Sequence, residues 1–257
     1  MRAFRIEERA AHLCYHDLPG DGPVLVFLHG LGAASSADFP EIARHPRLRD
    51  HRSLLIDLLG YGFSDRPIAF DYTMEGQAGL VARILRHLGI ESAIVIGHSM
   101  GGSIATLLAD DAPDLVAHLM SAEGNLDPGP GFVSGRITAM PEAAFVASGH
   151  AALVKQVAQG GFPEYAGTLR AAESSAVYRS AVSLIADRNR TYRDILYDLP
   201  IPRTYLFGQE TLPDPDVDVL REAGVDVRIV PNAGHAMMSD NPDGFSSAVA
   251  DAIASVR

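Results

Sequence analysis

Cysteine is almost missing from this chain. Among 257 residues only Cys14 carries a thiol, which excludes an internal disulfide and suits a reducing compartment, so a cytoplasmic location is expected. No apolar run approaches the roughly 20 residues that a membrane-spanning helix needs. The amino-terminal stretch Met1–Glu8 has no apolar signal-peptide core. Positive charge is also scarce: 21 Lys and Arg stand against 32 Asp and Glu, a net charge of −11. Such a surface offers no attraction to phosphate backbones, and neither nucleic acid nor a membrane is expected as a partner. There is no glycine-rich phosphate loop followed by lysine and no Cys/His cluster at metal-ligand spacing, so neither a metal nor another cofactor is expected.

The hydrophobic content of 47% supports one sizeable core. Short apolar runs read as strands: Val24–Leu28, Arg52–Asp57, Ala93–Ile96, His118–Ala122, Arg203–Phe207 and Val225–Val230. Helical spacing lies between several of them, as at Met74–Leu88 and Phe245–Val256. That alternation predicts an α/β fold with a mainly parallel sheet covered by helices on both faces. Residues 126–199 break it. They carry helical patches at 143–157 and 168–185, and turn-rich sequence bounds them at Asp127-Pro128-Gly129-Pro130-Gly131 and Leu199-Pro200-Ile201-Pro202. We read them as a helical cap, or lid, inserted into a core formed by residues 1–125 and 200–257.

The most informative motif is Gly97-His98-Ser99-Met100-Gly101. It follows a strand-like run and opens a helix-like one. A serine on so abrupt a turn projects its hydroxyl above the sheet edge, and small residues are needed where strand and helix approach. An alcohol keeps its proton at neutral pH, so a nucleophilic Ser99 requires an imidazole base and a carboxylate behind it. His235, in the loop after the last strand, is the candidate base. Negative charge on an attacked carbonyl oxygen calls for fixed N–H donors, and the amides of Met100 and Leu31 are the candidates. His29 is expected to support the Leu31 loop. His98, at the variable position of the turn, is expected to point away from the attack site.

These motifs together resemble the α/β-hydrolase superfamily over nearly the whole chain. His29-Gly30-Leu31-Gly32 is similar to its oxyanion loop, Asp57-Leu58-Leu59-Gly60-Tyr61-Gly62-Phe63-Ser64 to its D-x-x-G-x-G-x-S turn, the pentapeptide with Gly102 to its nucleophile elbow, and Gly234-His235 to its base loop. The resemblance implies an eight-stranded sheet and a cofactor-free hydrolase with a cap over the site. It implies a turn-stabilising role for Asp57. It departs at the acid. Many members carry Asp at the position of Thr211, and others place the acid after the next strand beyond the elbow, where Glu123 stands. A carboxylate ending an apolar strand needs a partner, so Glu123 is assigned ahead of Glu210 and Asp214.

Phe132, Met140, Phe145, Phe162, Tyr165 and Tyr178 of the cap, together with Gly30, His98, Met237 and Met238, are candidates to line a substrate pocket. The expected partner is a small acyl substrate: an ester, lactone or thioester cleaved through an acyl-serine. Two other readings stay open. One is a carbon–carbon bond hydrolase on the same triad, which would want cations such as Arg136, Lys155, Arg170, Arg179, Arg188 or Arg190 beside its substrate. The other is a ligand receptor on the same scaffold. A homodimer is compatible with all of them.

Overall fold

A computed structural model describes residues 1–129 and 131–256. Pro130 and the side chain of Phe132 lie outside the described residues. Eight strands form one sheet: β1 (Arg2–Ile6), β2 (Ala11–Leu18), β3 (Gly22–Leu28), β4 (His51–Ile56), β5 (Ala93–His98), β6 (Val116–Ala122), β7 (Arg203–Gly208) and β8 (Asp226–Val230). Their spatial order is β1-β2-β4-β3-β5-β6-β7-β8. The pairs β1/β2 and β2/β4 are antiparallel and the others parallel. The apolar runs of the sequence are the six strands β3 to β8, with β8 at one edge of the sheet. β1 and β2, outside those readings, mix polar with apolar residues because they lie at the sheet's margin.

Alternation along each strand divides the core into two. In β3, Leu25 and Phe27 face a cluster that includes Phe39, Phe245 and Val249. Val26 and Leu28 face the opposite cluster, where Leu80, Ile84 and Ile104 pack. Helix Met74–His87 starts where the Thr73 hydroxyl accepts from the Gly76 amide at 3.1 Å. Helix Pro242–Ser255 starts with Pro242 in its first turn and Asn241 as its cap.

Among the described residues the elements between β6 and β7 are all helical: Phe132–Thr138, Glu142–Ala144 running into a π-helical turn Phe145–Gly149, His150–Gln159, Pro163–Ala171, Ser174–Ile185 and Tyr192–Asp198. The patch expected at 168–185 is two helices. Ala172 turns extended, with ψ 147°, and the Glu173 amide leaves for the Gly60 carbonyl at 2.8 Å. Ile137, Phe145, Leu169 and Val177 of these helices join the same apolar cluster as Leu31, Tyr61 and Ile104, and the insertion meets the core through helices Met74–His87 and Met100–Asp111. Among the described residues no helix is long and apolar enough to cross a membrane.

The strand register sets the site. Leu28 is level with Gly97, His98 with Ala122, and Ala122 with Leu206. The turns that follow β3, β5, β6 and β7 therefore emerge side by side at one edge, where open parallel sheets bind their ligands.

Candidate active site

Ser99 sits at φ 51°, ψ −120°, directly before helix Met100–Asp111. A side chain rarely adopts this conformation, and its surroundings hold it there. The Ser99 amide donates to the Ala122 carbonyl at 2.9 Å, and the Ser99 carbonyl accepts from Gly102 at 2.8 Å. Close approach explains the flanking glycines. A Cβ on Gly97 would lie 2.2 Å from the Gly101 carbonyl oxygen, and one on Gly101 would lie 2.2 Å from that of Leu28.

One strand further on, Glu123 is also at positive φ (46°), tied through its amide to the Leu206 carbonyl at 3.0 Å. Its side chain is 11% exposed. One carboxylate oxygen accepts from the Gly208 amide at 2.9 Å and the Thr211 hydroxyl at 2.7 Å. The other meets His235 Nδ1 at 2.6 Å. Burial works against the charged carboxylate, but the hydrogen bonds from His235, Thr211 and Gly208 outweigh it and hold Glu123 below the ordinary glutamate value. With Nδ1–H given to Glu123, the Nε2 of His235 keeps a lone pair able to take a proton. The other acids do not share this arrangement. Glu210 is exposed, and Asp214 accepts from the Asp216 amide at 2.8 Å.

His235 is 55% exposed. Its ring centroid is 4.8 Å from that of His98, the residue before Ser99, so the base loop lies against the elbow. Among the described residues no hydrogen bond joins Ser99 Oγ to the imidazole. Such contacts are often long in the absence of substrate and tighten on binding.

The Leu31 loop is fastened from two sides. The Leu58 amide donates to His29 Nε2 at 3.1 Å, which leaves His29 Nδ1–H to donate to the Gly30 carbonyl at 2.8 Å. Gly30 and Leu31 share that peptide unit, so the contact sets the plane of the Leu31 amide. Burial holds the His29 imidazole below its ordinary pKa, in keeping with a neutral ring. From above, the Tyr165 hydroxyl donates to the Leu31 carbonyl at 2.8 Å. Gly32, at φ 75°, passes so near that a Cβ there would lie 2.6 Å from Leu169 Cδ1. Asp57 stabilises its turn through Ser36 and the Phe63 amide.

The pocket candidates separate. Gly30 lies beside the serine: a Cβ on it would be 3.4 Å from Ser99 Cβ and 3.0 Å from His98 Nδ1. His98 does not point away as expected, since its Nε2 meets the His235 carbonyl at 2.8 Å. Met237 is a correction. It is wholly buried with Ala233, Met238 and Phe245 in the cluster on the other side of the sheet, and presents no surface to a ligand. Met140 turns its sulfur toward Gly149 within the helical insertion, and Phe162 is 58% exposed on the turn before helix Pro163–Ala171. The contacts of Tyr165 and His98 escaped sequence reasoning because each joins segments far apart in the chain. Thr211 left a trace, as an unexpected residue where an acid is common.

Comparison with known proteins follows this geometry. Residues 23–141 match the family model described as alpha/beta hydrolase fold. The structure superposes on a thermophilic esterase from Thermogutta terrifontis with a TM-score of 0.84, covering 100% of this chain and 99% of that one at 19% identity. It also superposes on the N-acyl homoserine lactonase AidH in complex with N-butanoyl homoserine, with a TM-score of 0.74, 98% and 96% coverage and 20% identity. At such identities the likeness is one of fold. A putative hydrolase, LipZ, from Mycobacterium tuberculosis is 38% identical over 94 residues, 36% of this chain and 32% of that protein. The match thus spans about a third of that relative's length. The sheet order and the serine turn agree with these likenesses: residues 23–141 match the family model and the chain as a whole has the α/β-hydrolase fold.

Proposed function

We propose that this protein is a serine hydrolase that cleaves a carboxylic ester, lactone or thioester through an acyl-serine intermediate. The observation that carries the reading is the contact between Glu123 and His235 beside the strained Ser99. Ser99 Oγ attacks the carbonyl carbon while His235 Nε2 takes its proton. Negative charge gathers on the carbonyl oxygen, facing the amides of Leu31 and Met100. Among the described residues, neither amide is given a protein acceptor. Collapse expels the alcohol or thiol, which takes the proton from His235. Water then attacks the acyl-serine, gives a proton to His235, and Ser99 recovers it as the acid departs. Glu123 keeps the imidazole in the required tautomer and supports its positive charge. The steps need no cofactor.

The pairing of three of the cap's arginines favours this reading over carbon–carbon cleavage of an acidic substrate. Arg179, Arg188 and Arg190 are paired with Glu142, Glu75 and Asp110, so they offer no free charge to a substrate carboxylate. The test is labelling with a fluorophosphonate probe alongside turnover of p-nitrophenyl esters, lactones and thioesters. Wild type should label at one site and turn over at least one class, and Ser99→Ala should do neither. A labelled but non-turning protein with a large ligand-induced rise in Tm would point to a receptor.

A further inference from the structure

His98 stands where three pieces of the candidate site meet, and the hydrolase scheme leaves it without a task. It belongs to the serine turn. Its Nε2 lies 2.8 Å from the carbonyl oxygen of His235, so Nε2 carries the hydrogen and donates it. Its ring is 4.8 Å from the His235 ring, and its Nδ1 faces Gly30 of the oxyanion loop. The residue is 8% exposed, and among the described residues Nδ1 has no hydrogen-bond partner. Leaving a buried acceptor unpaired costs free energy, which is tolerated where the other ring nitrogen does something required.

We propose that His98 is a positioning residue that locks the catalytic base to the nucleophile by bonding the backbone of His235. The inference rests on the hydrolase reading above. The physical case is one of restraint. His235 rides on a loop with over half its side chain in solvent. The Glu123 contact fixes one ring nitrogen but leaves the ring free to pivot about it. The bond from His98 fixes the loop's backbone at the same residue, and it comes from the immediate neighbour of Ser99. Nucleophile and base are thereby connected through a single hydrogen bond between residues 137 positions apart. Burial, reinforced by His235 nearby, pulls the pKa of His98 down to about 3. The ring therefore stays neutral while His235 becomes positive during turnover. A second cation stacked on the imidazolium would oppose that step.

The test compares His98→Gln, whose amide N–H reaches the position of Nε2, with His98→Leu, which fills the space without a donor. Fluorophosphonate labelling rate, kcat, KM, the pH profile of kcat/KM and Tm are measured for each. Displacing a reacting group by an ångström costs on the order of 100-fold. His98→Leu should therefore lose about 10- to 100-fold in both labelling rate and kcat, with KM within about threefold. His98→Gln should recover most of that loss at a Tm matching that of His98→Leu. The basic and acidic limbs of the Leu variant's profile should shift, because its imidazole is no longer held. Equal rates in wild type and His98→Leu would overturn the proposal. So would equal losses in both variants that follow Tm, since these would mark a packing role alone. A wild-type protein that does not label at all removes the hydrolase reading and this one with it, which separates that failure from the others.

Discussion

The Thr211 hydroxyl donates to Glu123 at 2.7 Å, from the position where the family resemblance leads one to expect the acid. The carboxylate comes from the end of β6 and the hydroxyl from the turn after β7. Both reach the space behind His235, where the strand end after β6 supplies the charge and the turn after β7 a donor to it. Glu123 keeps its two oxygens apart in function: one faces Thr211 and Gly208, the other His235.

Glu123→Gln should keep the shape of the site and lose the charge. The expected loss in kcat is on the order of 1,000- to 10,000-fold, as when a triad acid is neutralised. Glu210→Ala and Asp214→Ala should stay within about threefold. Steady-state kinetics on the three variants decides between the acids.

Thr211→Val removes one hydrogen bond to a buried charge, an interaction of roughly 1.5–3 kcal/mol. The Glu123 pKa should rise toward the ordinary value, and the acidic limb of the kcat/KM profile should move to higher pH. The stability that ionised Glu123 contributes is fully present above its unfolded pKa and is lost as pH falls through its lowered folded value. In Thr211→Val the contribution should be smaller, and its loss, which starts at the same unfolded pKa, should be complete at higher pH. Denaturant unfolding between pH 3 and 7 measures the shift.

Tyr165→Phe keeps the ring and deletes the bond to the Leu31 carbonyl. With the oxyanion loop held only from the His29 side, kcat should fall about 3- to 10-fold. Global stability should drop by no more than ~1.5 kcal/mol. A fall in Tm without a fall in kcat would show that the insertion does not brace the loop.

Ser99→Gly and Ser99→Ala should both abolish labelling but differ in stability. At φ 51°, ψ −120° a glycine is at ease and an alanine is not. The glycine variant should be more stable than the alanine one by about 1 kcal/mol, and thermal unfolding provides the comparison.

Asp38 follows the oxyanion loop, and burial together with the nearby Asp57 pushes its carboxyl up to about 7. The folded protein therefore holds a proton that the unfolded chain has released. Stability from this group is greatest near pH 4 and declines as pH rises to about 7. Asp38→Asn should remove that decline and leave the variant more stable than wild type at pH 8. A pH series of denaturation midpoints tests the sign.

Much of this molecule was legible in one dimension. The inner strands β3, β5, β6 and β7 read as apolar runs because both of their faces are buried, which erases polar alternation, whereas the edge strand β8 keeps Asp226 and Arg228 between its apolar residues. The serine turn was legible because steric demand at Gly97 and Gly101 admits few residues. The margin of the sheet was harder to read. In β2, Ala11, Leu13 and Tyr15 alternate with more exposed neighbours, a weak pattern in a short polar stretch. The helices of the insertion were legible in kind but not in their breaks. The interruption at Ala172 is set by Gly60, more than 100 residues earlier.

Local sequence determined which residues could do chemistry: a serine that must turn sharply, a histidine in a free loop, an acid at a strand end. Chemical identity and backbone strain are properties of a residue and its near neighbours, so they travel with the sequence. Folding decided which acid faces the imidazole, that Met237 is interior, that Tyr165 grips the Leu31 loop and that His98 bonds the His235 carbonyl. Those are relations of distance between segments remote along the chain, and the register of eight strands sets each of them.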